Sequence, residues 1–183
     1  MEIRLAFCTH LFFSRHFKPI GYGFVFCWLL CTSCHKEDTG AYMVTSEDFY
    51  EVAVPEHNYQ ELLNVELLKV TADPRFPALA KKRVELLKKY ILELNLLLGI
   101  TGSDYSIAIS DQNRERLLEL KKLTGDSFKK ELVRLTVESD QQLIGFHVNA
   151  ISSEGAKDPA LREWARQKLP VLTGNLSEVQ ALH

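Results

Sequence analysis

The sequence predicts an all-α fold for residues 46–183, and three observations carry that expectation. Apolar residues recur at three- and four-residue spacing through each long segment, the pair Asp-Pro stands twice where a helix would begin, and no segment alternates as a strand does. Four long helices and one short one account for the pattern.

Ser46 opens the first helix, expected to run to about Thr71 and to be interrupted or kinked at Pro55, where proline removes an amide donor and crowds the preceding turn. Tyr59, Leu62, Leu63, Glu66, Leu67 and Val70 mark its later stripe. Asp73-Pro74 combines a cap with proline in the first helical position, so a second helix begins there. It runs to Leu98 with Val84, Leu87, Ile91, Leu94 and Leu98 on one stripe, and Gly99 is its stop. Ser110 or Asp111 starts a short third helix through Leu117, Leu120 and Leu123, ended by Thr124-Gly125. Asp126 caps a long fourth helix to about Ile151, with Phe128, Leu132, Leu135, Leu143, Phe146 and Ala150 facing inward. Asp158-Pro159 repeats the cap for the last helix, lined by Leu161, Trp164, Ala165, Leu172, Leu176 and Val179 and bent at Pro170.

The two Asp-Pro caps form an internal echo. Each follows a long helix, and each has an alanine seven residues after the aspartate, Ala80 and Ala165. Two helical hairpins joined by Gly99 to Gly125 make a four-helix bundle with one long crossover that carries a short extra helix. That layout is the ferritin-like one.

Residues 1–33 read as an export signal. Arg4, Arg15 and Lys18 lead with only Glu2 against them, Ile20 to Leu30 is apolar or neutral, and small Thr32 and Ser33 precede Cys34. The apolar run falls short of the ~20 residues that a spanning helix needs. Leu30-Cys31-Thr32-Ser33-Cys34 resembles a bacterial lipoprotein box, although Cys31 stands where leucine is usual. The resemblance implies acylation of Cys34, and Lys36-Glu37-Asp38 is similar to a signal that directs lipoproteins to the cell surface. Two or more acyl chains anchor a protein firmly where one holds only marginally. Residues 34–45 are then a tether and 46–183 the helical domain.

All four cysteines, Cys8, Cys27, Cys31 and Cys34, lie at or before the expected cleavage point, so the helical body has neither a disulfide framework nor a cysteine metal site. Cleavage takes three basic and one acidic residue from the 22 Lys+Arg and 24 Asp+Glu, leaving 19 and 23 and a formal charge of −4. That balance lacks the basic excess of nucleic-acid binders. The basic pairs along Lys81-Lys82, Lys88-Lys89, Lys121-Lys122 and Lys129-Lys130 are interspersed with Glu85, Glu119 and Glu131, which makes a solvated face.

From about Ser46 to Leu182 the chain resembles domain-of-unknown-function family 4142, described as ferritin-like and outer-membrane proteins. Val65-Glu66-Leu67, Glu93-Leu94, Gly99-Ile100, Phe128, Asp158-Pro159, Leu161, Ala165 and Leu169-Pro170 with Leu172 and Leu176 carry the resemblance. It implies histidines at three positions that here hold Leu87, Asp140 and Asn175. A ferritin-like di-iron site needs a glutamate from each of two helices and Glu-x-x-His from the other two. No histidine here has a glutamate three residues before it. Of the six histidines only His57 and His147 fall inside the helical domain away from its terminus.

Glu66 and Glu93 remain as an acid–base pair if they face one another, or as surface partners of Lys and Arg if they do not. No Gly-x-Ser-x-Gly elbow, phosphate-cradling glycine loop or reactive cysteine is present in the helical domain. The sequence reading is a lipid-anchored outer-membrane protein with a non-catalytic interaction or structural module. It expects no metal, no cofactor and no nucleic acid, and as partners the membrane and an envelope protein. A metal- or redox-linked ferritin-like enzyme with a degenerate site stands as the alternative, and a carrier of a small apolar ligand, seated near Trp164 and Phe146, as a third.

Overall fold

A computed structural model describes residues 44–100 and 108–182. The expected export signal, Cys34 and all of the tether except Val44 and Thr45 lie outside the described residues. The described residues belong to one compact unit, residues 38–183. The described residues are all-helical, with five helices among them in the order α1 (Ser46–Lys69), α2 (Arg75–Leu98), α3 (Asp111–Leu120), α4 (Gly125–Ile151) and α5 (Pro159–Gln180). The one β contact among the described residues is an isolated bridge between Val44 and Ala156.

Local chemistry sets most of the helix ends. Thr45, placed in the tether by sequence, caps α1: its hydroxyl accepts from the Asp48 amide while the Asp48 carboxylate accepts from the Thr45 amide, a reciprocal capping box. Asp158 caps α5 by accepting from the Ala160 amide at 2.8 Å, with Pro159 in the first helical position as expected. At α2 the signal falls one residue early, because Pro74 is itself the N-cap and Asp73, accepting from the Arg75 amide at 3.0 Å, stands before it. Ala80 and Ala165, seven residues on, are both fully buried. Ser110 caps α3 through the Asn113 amide. Gly99 ends α2 at φ 66°, with Ile100 N–H donating to the Asn95 carbonyl and Gly99 N–H to that of Leu96. That is a Schellman closure, and it suits a residue without Cβ.

One expectation about breaks needs correction: α1 is not interrupted at Pro55, and α5 likewise continues through Pro170. Proline forfeits one amide bond, but packing holds the helix on both sides: residues 56 to 60 are all buried, so α1 is clamped from every direction just after Pro55. Pro170 is exposed, and water can serve the carbonyl it leaves free. At the other boundary Asp126 does not cap α4. The helix starts at Gly125 behind Thr124, and Asp126 pairs with Lys129 inside the first turn.

The four long helices touch in a ring: α1 with α2, α2 with α5, α5 with α4 and α4 with α1, while α3 leans on α4. Cross-helix bonds give the directions. His57 meets Leu87 and Asn64 meets Ala80, so α1 and α2 are antiparallel; Lys82 meets Glu178 and Lys168 meets Glu93, so α2 and α5 are too. Glu56 meets Ser139 while Phe49 packs on His147, which runs α4 opposite to α1. α2 and α4 are therefore parallel and face each other across a diagonal. The turn from α4 into α5 is tight. Any Cβ on buried Gly155 would sit 2.2 Å from the Asn149 carbonyl oxygen, so the loop lies directly on the end of α4.

Apolar side chains form two clusters rather than one. The first gathers Tyr59, Leu63, Leu67, Phe76, Leu79, Leu120, Leu132 and Val179; the second gathers Phe49, Tyr90, Leu94, Leu143, Leu161 and Trp164. Polar residues separate them.

Candidate functional site: a buried polar layer and its cavity

The layer arises because core positions carry polar side chains. On α1 the interior residues Phe49, Ala53, Glu56, Gln60, Leu63 and Leu67 repeat at four- and three-residue steps, and Glu56 and Gln60 fall in the middle of that run. On α2 the interior run is Arg83, Leu87, Tyr90 and Leu94, not the Val84, Ile91 and Leu98 that hydrophobicity selects. On α4 Thr136, Ser139, Asp140 and His147 are buried, and on α5 Asn175. Phe146 and Leu176, expected inside, are only partly buried, because His147 and Asn175 beside them take the interior places.

Arg83 and Asp140 occupy the centre, 1% and 4% exposed. The guanidinium donates twice to the carboxylate, Nη1 to Oδ2 at 2.9 Å and Nη2 to Oδ1 at 2.6 Å, and Gln60 adds a third donor at 3.0 Å. This is a bidentate, charge-assisted pair between the diagonal helices α2 and α4. Burial pushes the Asp140 carboxyl up, and the Arg83 bonds and charge pull it back. Arg83 Nε has no partner among the described residues, so its desolvation is not fully repaid by them. Beside the pair, Glu56 accepts from the Ser139 hydroxyl and, at 3.1 Å, from the Asn113 amide of α3. Burial raises the Glu56 carboxyl above its ordinary range against those two bonds.

Two helical turns further along both α2 and α4, Tyr90 and His147 make a second diagonal contact. The His147 Nδ1 lies 2.8 Å from the Leu143 carbonyl, which can only accept, so that nitrogen carries the proton. Nε2 is then free to accept from the Tyr90 hydroxyl at 3.3 Å. On the other side of Tyr90 the His57 ring stacks at 5.2 Å with a 15° tilt, its Nε2–H donating to the Leu87 carbonyl at 2.7 Å. Trp164 and Phe49 close the group. Burial lowers both imidazoles to about 4, so both are neutral near pH 7, and it drives the Tyr90 phenol well above its ordinary value.

Glu66 and Glu93 do not meet. Glu66 is buried near the end of α1 and bonds Lys69 at 2.8 Å; Glu93 sits on α2 between Lys168 and Lys89. Given the antiparallel register of α1 and α2, they stand roughly 20 Å apart along the axis. Lys168 and its bond are the first cause that holds the Glu93 carboxyl below its usual range. The carboxylates that are buried together, Glu56 and Asp140, carry no motif. Their signal was their register: both fall on the interior stripe of a long helix.

A cavity of about 80 Å³ opens beside Tyr90, between α2 and α5, with its floor on α1 and α4. Leu87, Tyr90, Leu143 and Leu172 form its walls, and His57, Gln60, Asn175, Lys89 and Lys168 supply polar groups. It lies next to the expected gap at Trp164 and Phe146 rather than within it.

Leu87, Asp140 and Asn175, the positions at which the resemblance implies histidine, all point into this interior: Leu87 and Asn175 line the cavity and Asp140 lies in the polar layer that shares Gln60 with it. A carboxylate-bridged metal pair would need free carboxylate oxygens there. Asp140 spends both on Arg83, Glu56 spends both on Ser139 and Asn113, and a guanidinium occupies the middle, so the donor set does not fit. Among the described residues no group of three or more His, Cys, Asp or Glu is placed to hold a metal ion, and no helix is long and apolar enough to cross a membrane.

The family model described as "Domain of unknown function (DUF4142)" matches residues 68–182, and the chain belongs to that family. The match takes in α2 to α5 but starts at the end of α1, so Glu56, His57 and Gln60 lie outside it. Comparison with curated proteins and with solved structures returns no match.

Proposed function

We propose that the chain is a cell-envelope lipoprotein, anchored in the outer membrane through acylated Cys34, whose helical body is a non-catalytic interaction or structural module. The observation that supports the second half is the bonding of the central polar layer: each oxygen of its two carboxylates, Glu56 and Asp140, is taken by Arg83, Gln60, Ser139 or Asn113. The Leu30 to Cys34 pattern supports the first half. The same reading takes the fold as a ferritin-like four-helix bundle. The ring order of the long helices, and the connection that must return between parallel α2 and α4, favour that layout.

Fractionation of cells that express the Cys34→Ala variant tests the anchor. The expected outcome is loss of acyl labelling and release from the membrane fraction; retention with intact labelling overturns the reading. Metal analysis of the purified chain tests the body. Iron, manganese or zinc in fixed stoichiometry would instead support a metal-linked enzyme.

A further inference from the structure

We infer that the cavity beside Tyr90 is a binding site for a small monocarboxylate with an apolar body, aryl by preference. Space, wall chemistry and charge converge on that class. About 80 Å³ holds roughly six non-hydrogen atoms. The walls that would enclose such a body are Leu87, Leu143 and Leu172 together with the Tyr90 ring, which is held in place by the stacked His57 and the bond to His147. A flat ring fits beside a fixed aromatic wall with little loss of rotational freedom.

The mouth is positive. Lys168 and Lys89 both line the cavity and both lean on the single carboxylate of Glu93, so two ammonium groups share one negative charge. Lys168 is the better placed, with its side chain 18% exposed and its Nζ 5.7 Å from the centre of the Trp164 ring. An anion there meets a desolvated cation, which is worth more than one in water. The imidazoles lining the interior are neutral and do not compete for it.

A second observation points to a ligand. Asn175 is more than nine-tenths buried, lines the cavity, and its carboxamide has no hydrogen-bond partner among the described residues. Its amide atoms are not sealed from solvent, so a ligand hydroxyl would take a place that water can otherwise fill. It stands two turns from Lys168 on α5, about 10 Å along the axis. A carboxylate at the Lys168 end therefore leaves the far edge of a six-membered ring near Asn175, where a ring hydroxyl would be the best complement.

The test is a methyl-resolved NMR titration of the full-length chain in detergent, with benzoate, 4-hydroxybenzoate and benzyl alcohol as probes. Benzoate is expected to move the Leu87, Leu143 and Leu172 methyls with submillimolar affinity, 4-hydroxybenzoate to bind several-fold tighter, and benzyl alcohol at least tenfold weaker. The Lys168→Gln variant should lose about tenfold for benzoate and nothing for benzyl alcohol. Leu172→Trp should abolish binding; if it fails to fold, Lys168→Gln still decides. Equal affinity for the alcohol and the acid, an unchanged affinity in Lys168→Gln, or no methyl shift at 10 mM benzoate would overturn the inference. None of these results depends on where Cys34 resides.

Discussion

Arg83–Asp140 and Tyr90–His147 are the same connection made twice. Each joins α2 to α4 across the diagonal, and each residue of the second pair lies seven places after its counterpart in the first. Their chemistry is opposite. The first is a bidentate ion pair buried in a polar layer; the second is one neutral hydrogen bond inside an aromatic cluster. The ionic crossing is strong in isolation but must recover the desolvation of two charges, whereas the neutral one has little to recover. The comparison teaches that this fold spans its long diagonal with directional polar groups, and leaves apolar packing to the neighbouring helices.

Breaking the ionic crossing should have the largest effect. Asp140→Ala strands a buried guanidinium and is expected to lower stability by about 3–5 kcal/mol. The double variant Arg83→Met with Asp140→Leu should recover most of that or exceed the parent. Urea denaturation of all three forms measures it. A double variant as unstable as the single one would mean that the charges themselves, and not their pairing, hold the layer.

Acid sharpens the contrast from the neutral side. The folded values of His57 and His147 are depressed to about 4, below an unfolded value near 6.5. Unfolding between those limits takes up protons, so stability is full above pH 6.5 and falls as pH drops towards 4. Each histidine contributes a loss of about 3 kcal/mol at most. Asp140 and Glu56, whose carboxyls are raised, work the other way: the native state takes their protons first and so gains as pH falls through their folded values. The net fall should therefore be smaller than the histidines alone imply. His147→Gln should flatten the unfolding midpoint against pH, and an unaltered slope would remove His147 from the account.

The smallest change expected is in Tyr90→Phe. It deletes the donor to His147 Nε2 and leaves a buried acceptor bare, for about 1 kcal/mol by thermal unfolding. A loss as large as that of Asp140→Ala would show that the two crossings are energetically equivalent after all.

The interior residues misjudged from sequence share one error. Val84 stood for Arg83, Ile91 for Tyr90, Phe146 for His147 and Leu176 for Asn175, each a slip of one residue around a helix. Successive residues lie ~100° apart, and a helix's apolar arc is about that wide, so both neighbours compete for the inside. A hydropathy reading awards the place to the apolar one. For Arg83, Tyr90 and His147 the polar residue wins because its partner sits on another helix, Asp140 for Arg83 and His147 and Tyr90 for each other. Glu66 and Glu93 failed as a pair for a related reason, since their shared promise ignored that α1 and α2 run in opposite directions.

Helix number and order were legible in the bare chain, and the termini to within a few residues, because caps, glycine stops and Asp-Pro starts act over three or four residues and need no distant partner. The inward faces were largely legible too, as buried Leu63, Leu94, Leu132, Leu143 and Leu161 show, but which of two adjacent residues turns inward, and hence the polar layer and the cavity above it, was decided by tertiary structure. Charges and amides buried between helices answer to groups up to 83 residues away, as Ser139 does for Glu56, and no local pattern encodes that meeting.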